Sequence, residues 1–191
     1  MTRIALIDGH PDRGRDHFDH ALGDSYAEGA AEGLHELRRI FTADLQFPLL
    51  RSMEEWQSGA VPPDIARCQE TIAWAEHLVF VYPLWLGDMP ALLKGFLEQV
   101  ARPGFAFRYG KGVPEKLLKG KSARIIVTMG MPGILYRLFY RAHSLKSFER
   151  NILQFVGIGP IRSTVIGSIE ADPDRRQQWL DEVRSLGVEA E

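Results

Sequence analysis

Short apolar runs alternate with segments of helical periodicity along the whole chain, and this alternation restricts the fold more than any other feature. We predict five strands, over residues 3–8, 36–45 (with the loop that follows the strand), 77–82, 123–129 and 162–167. The clearest run, HLVFVY at 77–82, is apolar at consecutive positions, which is typical of a strand covered on both faces. Right-handed crossovers make such a sheet parallel. The chain is therefore predicted to be one α/β domain over residues 1–191, with strand order 2-1-3-4-5.

Helices are predicted between the strands, over residues 17–33, 64–76, 90–100, 135–155 and 173–186, with an excursion at 52–63 that Trp56 packs down. In open α/β sheets, ligands bind beyond the carboxyl ends of the strands, where the strand order reverses. This rule selects the loops after the first, third and fourth strands, at residues 9–17, 83–90 and 130–136.

Composition and charge exclude several classes of function. A formal net charge of −2 gives no broad attraction to nucleic acid. The single cysteine, Cys68, allows no intrachain disulfide and is expected to pack rather than react, so cytoplasm is the default location. The first residues become charged too early for a signal peptide, and no apolar run is long enough for an integral membrane segment. His10, His17 and His20 straddle a loop and a helix start, so no metal site is expected.

The first loop joins a strand to a helix whose amino end presents free N–H groups and a partial positive charge. His10, Arg13, Arg15 and His17 add hydrogen-bond donors to it. Because neither a GxGxxG nor a Walker pattern is present, a standard dinucleotide or triphosphate cradle is disfavoured. The residues alone leave open an anion site or a solvated loop with scattered bases.

The other two loops carry aromatic and glycine residues. Trp85, in the stretch YPLWLG, suits either a platform for a flat ring system or a cap on the core. In TMGMPG at 128–133, glycines let the backbone approach a ligand closely. Tyr136 and His143 follow and could face a ligand, but Tyr136 is also compatible with a packed helix aromatic, and His143 with a surface or interface histidine.

Together the three loops resemble the flavodoxin-like NAD(P)H:quinone oxidoreductase family, which includes the DT-diaphorase, modulator-of-drug-activity and potassium-efflux ancillary types. The resemblance covers nearly the whole chain and is most specific in YPLWLGDMPALLKGFLEQVARPGFAFRY, followed by KGKSARIIVTMG. It implies a flavodoxin-like three-layer sandwich.

The resemblance also implies roles for individual residues. The first loop would bind flavin phosphate through His10, His17, Phe18 and Asp19. His17 and Asp19 stand where the family usually has serine and asparagine. The second loop would support the isoalloxazine edge through Pro83, Leu84, Trp85 and Leu86. The third would hydrogen-bond the pyrimidine end through Thr128, Met129, Gly130 and Met131. Tyr136, His143 and Gly130 would be catalytic, and Phe107 and Tyr109 would wall the acceptor pocket.

The activity implied is two-electron, ping-pong hydride transfer from NAD(P)H, through flavin N5, to a quinone-like acceptor. The compact length favours FMN over FAD as the flavin. Family members are homodimers with active sites at the interface, to which the aromatic residues of 135–155 would contribute. Alternatives of the same fold are an azo- or nitro-reductase and a regulatory flavoprotein subunit of a potassium-efflux transporter. A flavodoxin-like electron carrier is disfavoured because flavodoxins are strongly acidic and this chain is not.

Overall fold

A computed structural model describes residues 1–14, 16–110, 112–170 and 173–191. The strands are β1 (Arg3–Asp8), β2 (Glu36–Phe41), β3 (His77–Pro83), β4 (Phe107–Arg108), β5 (Glu115–Lys116), β6 (Ser122–Thr128) and β7 (Ile161–Ile166). The α-helices are α1 (Phe18–Glu32), α2 (Met53–Ser58), α3 (Pro63–Trp74), α4 (Ala91–Val100), α5 (Gly133–Leu138), α6 (His143–Ser147), α7 (Gln154–Val156) and α8 (Pro173–Glu189). A 3₁₀ turn (Thr42–Asp44) and a π-helical segment (Phe148–Leu153) complete the elements.

The main sheet has five parallel strands in the order β2-β1-β3-β6-β7. Counted along the chain, these are strands 2-1-3-4-5 of the sheet, so the predicted architecture and order are confirmed. In register, Asp8 of β1 pairs with Val81 of β3, and Pro83 of β3 pairs with Thr128 of β6. The carboxyl ends of β1, β3 and β6 therefore meet along one edge.

Each face of the sheet buries its own apolar core, which explains why the strands are continuously apolar. Along β3, Phe80 and Tyr82 belong to the core that contains α4, whereas Val79 and Val81 belong to the core that contains α1. Burying such a side chain stabilises the fold by roughly 1.5–3 kcal/mol each. The sheet is thus a rigid support for the loops at its carboxyl edge.

Three local predictions were wrong or incomplete. The excursion at 52–63 contains a short helix, α2, because the Ser52 hydroxyl accepts a hydrogen bond from Glu55 N–H and caps it. The predicted helix at 135–155 is broken, since Arg141 and Ala142 adopt left-handed conformations with φ of 53° and 49°. The small antiparallel pair of β4 and β5 was not predicted, and two residues per strand give no readable pattern.

The described residues contain no helix both long enough and apolar enough to span a lipid bilayer.

Candidate active site

The three loops selected from the sequence are tied to the same edge of the sheet by backbone hydrogen bonds. Gly9 N–H, at the start of the first loop, donates to the Val81 carbonyl at 2.8 Å. Leu84 N–H, in the second loop, donates to the Thr128 carbonyl at 2.8 Å. The loops consequently follow one another in space as the strands do, with the second loop between the other two.

His10 of the first loop is a neutral hydrogen-bond donor. Asp12 N–H donates to His10 Nδ1 at 3.2 Å, so the ring proton lies on Nε2. Burial, followed by the nearby His17 and His20, lowers the pKa of His10 below its ordinary value. The His17 ring stacks on His10 with centroids 4.0 Å apart. His10 Nε2–H remains available for an anionic ligand.

The amino end of α1 stays open to such a ligand. His17 is the N-cap residue, and its side chain makes no capping hydrogen bond. It pairs instead with Asp12, where its Nε2 lies 2.9 Å from Oδ2. The Gly14 N–H and then His17 lower the pKa of Asp12. The His17 side chain therefore leaves the positive end of the helix dipole uncapped beside His10. Arg15, predicted as a further donor, lies outside the described residues.

A buried ion-pair network at the end of β1 lies beside the first loop. Asp8 is fully buried, and its carboxylate accepts from His20 Nδ1 at 2.7 Å and from Arg39 Nη2 at 3.0 Å. His20 Nε2 lies 3.2 Å from the Asp12 carbonyl oxygen, so both ring nitrogens face hydrogen-bond acceptors. Asp8 and Arg39 were missed at the sequence level, although an acid ending the apolar run RIALID must find a partner when buried.

Asp19 joins the first loop to the third. Its buried carboxylate accepts from Thr128 Oγ1, at 3.0 and 3.1 Å for its two oxygens. Burial raises the pKa of Asp19 to about 6, and nearby Asp8 adds to the increase, while the Thr128 hydrogen bond opposes it. The family resemblance assigns Asp19 to the phosphate end of a flavin and Thr128 to its pyrimidine end. The two side chains are hydrogen-bonded to each other.

The second loop is a tight hairpin turn that projects from the protein. Trp85 N–H donates to the Asp88 carbonyl at 2.8 Å, and Asp88 N–H donates to the Trp85 carbonyl at 3.0 Å. Leu86 and Gly87 lie between them with φ of 48° and 82°, as a two-residue turn with positive φ requires. Trp85 is half exposed, and its ring centroid lies 5.9 Å from that of His10. It therefore stands beside the first loop instead of capping the core.

The second and third loops enclose a cavity of about 440 Å³. It is lined by Leu84, Leu86, Gly87, Met131, Tyr136, Tyr140 and His143. The Tyr136 hydroxyl already has partners, the Ser144 hydroxyl at 2.8 Å and Leu145 N–H at 3.2 Å. A Cβ added at Gly130 would meet nothing within 4 Å, so the third loop can be approached closely there. Tyr140, which the sequence analysis placed only among the aromatic residues of a dimer interface, also lines this cavity.

Phe107 and Tyr109 are not part of this cavity. Phe107 is buried and lines a separate apolar cavity of about 420 Å³, together with Trp56, Phe155 and neighbouring residues. The Tyr109 ring is half exposed and packs edge-on against Phe107, with centroids 5.2 Å apart. Within one chain, these two aromatics do not face Tyr136.

Neither Cys68 nor a metal cluster provides a further reactive centre among the described residues. Cys68 is buried in α3, and burial raises the pKa of its thiol to about 11, so it is poorly nucleophilic. Within residues 1–14, 16–110, 112–170 and 173–191, no group of three or more His, Cys, Asp or Glu side chains has the arrangement of a metal site.

The chain is similar in sequence and in structure to several known oxidoreductases. An FMN-dependent NADH:quinone oxidoreductase of Listeria innocua is 31% identical over 163 residues, covering 76% of this chain and 74% of that protein. The structure of an NAD(P)H:quinone oxidoreductase from Methanothermobacter marburgensis is similar with a TM-score of 0.83, at 24% identity and covering 100% of this chain and 99% of that one. An FMN-dependent NADH-azoreductase from Bacillus anthracis, solved in complex with FMN, has a TM-score of 0.77 at 16% identity, covering 100% and 99%.

At these identities the two structures show the fold alone. The family model described as the flavodoxin-like fold, however, matches residues 2–186, nearly the whole chain. The protein therefore belongs to the flavodoxin-like fold family.

Proposed function

We propose that this protein is an FMN-dependent NAD(P)H:quinone oxidoreductase. The observation that carries the proposal is the convergence of an open anion site and a 440 Å³ cavity at one edge of the sheet. The Listeria innocua relative, which bears this activity in its name, supports the same choice of cofactor and acceptor.

The residues at the first loop fit the phosphate of FMN. His10 Nε2–H and the uncapped amino end of α1 supply donors for a dianion. Asp12 is hydrogen-bonded to His17, and Asp8 is hydrogen-bonded to His20 and ion-paired with Arg39, so both carboxylates already have partners. Asp19 has the Thr128 hydroxyl but no cationic ion-pair partner among the described residues, and its negative charge would oppose phosphate binding.

The second and third loops fit a flat ring system. Leu84 and Trp85 would support one edge of it, and the backbone around Gly130 would approach the other. FMN would supply the group that accepts a hydride from NAD(P)H and gives it to the acceptor. The protein's part is to position the rings and to exclude water with Met131 and Tyr136. Gly130 N–H and His143 would stabilise negative charge that develops at the reacting edge.

A homodimer is part of the proposal. Phe107 and Tyr109, which the family resemblance assigns to the acceptor pocket, lie outside the Tyr136 cavity of their own chain. A second copy would bring them to that cavity and cover the apolar surface around Phe107. Light scattering should then give twice the 21.6 kDa chain mass. A monomer with full quinone reductase activity would contradict this arrangement.

Steady-state kinetics of the FMN-loaded protein tests the activity. NADH and a water-soluble benzoquinone are varied together, and one shared cavity should give parallel double-reciprocal lines. Intersecting lines would argue against sequential occupation of one cavity. Failure to oxidise NADH with FMN bound would overturn the proposed function.

The azoreductase alternative rests on the Bacillus anthracis neighbour, which has the same fold. This alternative would replace the proposed quinone reductase activity if azo dyes gave a higher kcat/KM than quinones. A cytoplasmic location goes with either activity, since NAD(P)H is the electron donor and the single buried Cys68 forms no intrachain disulfide.

A further inference from the structure

The first loop is closed by its own side chains. Three of its backbone N–H groups each donate to the side chain two residues earlier: His10 N–H to Asp8 Oδ1 at 3.2 Å, Asp12 N–H to His10 Nδ1 at 3.2 Å, and Gly14 N–H to Asp12 Oδ1 at 2.8 Å. Short polar side chains commonly accept such bonds in turns. Because these backbone donors are occupied, the loop must offer side-chain donors to an anion, and the buried one is His10 Nε2–H.

His20 joins the same loop to α1. Its Nδ1 lies 2.7 Å from Asp8 Oδ2, and its Nε2 lies 3.2 Å from the Asp12 carbonyl oxygen. The His20 ring also meets the His10 ring edge-on, with centroids 5.2 Å apart. His20 therefore contacts both ends of the segment whose middle residue is His10.

The Asp8 carboxylate is the acceptor on which these contacts depend. It is fully buried at the end of β1, and one oxygen accepts the His10 N–H. The other oxygen lies beside His20 and accepts from Arg39 Nη2 at 3.0 Å. A buried carboxylate without a cation would destabilise the fold and repel a phosphate group. Arg39 supplies the opposite charge, so Asp8 can hold the loop without that penalty.

We propose that Asp8 and His20 are positioning residues for the phosphate of FMN. Together they hold residues 8–12 in the turn in which Asp12 N–H reaches His10 Nδ1. That bond keeps the ring proton of His10 on Nε2, where it can be donated to the phosphate. Both residues act through His10, and the role rests on the proposed function, in which His10 binds this phosphate.

A purely structural role for the two residues would have a different signature. A network that only stabilised the end of β1 would affect every flavin alike. Positioning of His10 affects the phosphate alone. Riboflavin has the ring system and ribityl chain of FMN but no phosphate, so it distinguishes the two roles.

Fluorescence titration of the flavin-free protein with FMN and with riboflavin measures the contribution of the phosphate. Asp8→Asn leaves one oxygen to accept where there were two, so its three side-chain bonds cannot all persist. We expect Asp8→Asn and His20→Phe each to lower the ratio of FMN affinity to riboflavin affinity by about 10- to 100-fold, as for a lost hydrogen bond to a charged group. A ratio that stays at the parent's value in both variants would overturn the proposal, even if the two affinities fall together.

The tautomer of His10 is a second readout, and it needs no flavin. Nitrogen-15 NMR of the flavin-free parent should show neutral His10 with its proton on Nε2 alone. Asp8→Asn and His20→Phe should each give a mixture of the two neutral tautomers, and retention of the parent's tautomer in both would also overturn the proposal. If Asp8→Asn fails to fold, His20→Phe decides alone, since it leaves the ion pair of Asp8 with Arg39 in place.

Two matched variants lie away from the first loop. His77→Phe replaces another buried histidine, whose Nδ1 lies 2.7 Å from the Ser122 hydroxyl at the amino end of β3. Asp64→Asn removes an acid of α3 that pairs with Arg67. Both should keep the parent's ratio of affinities, and a comparable decrease in either would contradict the assignment to Asp8 and His20.

The parent protein separates failure of this inference from failure of the proposed function. A parent that binds FMN no more tightly than riboflavin lacks the anion site on which the proposed function depends. A parent that prefers FMN, with variants that prefer it equally, keeps the proposed function and loses only the positioning role of Asp8 and His20.

Discussion

Asp19 has the least favourable environment of any acid at the site. Its pKa is raised to about 6, so between roughly pH 4 and 6 the folded protein binds more protons than the unfolded chain. Stability contributed by the protonated form is consequently lost as pH rises through this window. Above about pH 6, the buried Asp19 carboxylate is charged and lowers the free energy of unfolding by about 2–3 kcal/mol.

Asp19→Asn should remove that cost while an amide oxygen still accepts from Thr128. We expect the variant to exceed the parent in free energy of unfolding by about 2–3 kcal/mol at pH 7 and by almost nothing near pH 4. Denaturant unfolding at the two pH values measures this difference. A gain that is the same at both would show that Asp19 is not the titrating group.

His10 allows a second test on a single side chain. His10→Phe keeps a ring to stack on His17 but removes the Nε2–H donor, and should weaken FMN binding by about 10- to 100-fold, as for a hydrogen bond to a charged group. His10→Gln retains a donor and should lose less. Fluorescence titration of FMN measures both affinities, with thermal unfolding as the control for stability. Equal affinities for the parent and His10→Phe would remove His10 from the phosphate site.

At the scale of elements, the position of α1 decides the geometry of the first loop, because this helix carries Asp19 and His20. The carboxyl-terminal half of α1 packs closely on α8, with Gly29 of α1 and Gly187 of α8 at the contact. A Cβ at Gly29 would lie 1.9 Å from the Arg184 carbonyl oxygen, and one at Gly187 would lie 2.2 Å from that of Tyr26. The helices approach so closely because neither glycine has a side chain.

Gly29→Ala should therefore lower the free energy of unfolding by about 1–3 kcal/mol, the usual cost of overpacking. Gly110→Ala is a matched control, since a Cβ there meets nothing within 4 Å and should change little. Chemical denaturation compares the two. Unchanged stability of Gly29→Ala would mean that α1 and α8 can separate without cost.

How far the sequence predicts the structure differs from element to element. The strands are predictable because each is covered on both faces, and their order then places the three loops. The break at Arg141 and Ala142 is not predictable, because neither residue favours the left-handed conformation and no glycine or asparagine signals it. The Asp8 network joins residues 12 and 31 positions apart, so no local pattern reveals it.

Over the whole molecule, the apolar cores and the buried acids are separated. The two cores lie within the layers, whereas the Asp8 ion-pair network and Asp19 lie at the carboxyl edge of the sheet. Buried charges cost stability unless they are paired, and proteins retain them where function needs them. The position of the buried acids Asp8 and Asp19 at this edge agrees with the proposed site, whereas the buried cations Arg102 and Arg124 lie elsewhere.

The most direct test of the proposed function is the visible spectrum of the FMN-loaded protein under anaerobic conditions. We expect NADH to bleach the absorbance band of the bound flavin, and a quinone added afterwards to restore it without further NADH. A band that NADH leaves unchanged would contradict the central claim, as would a bleached band that no quinone restores.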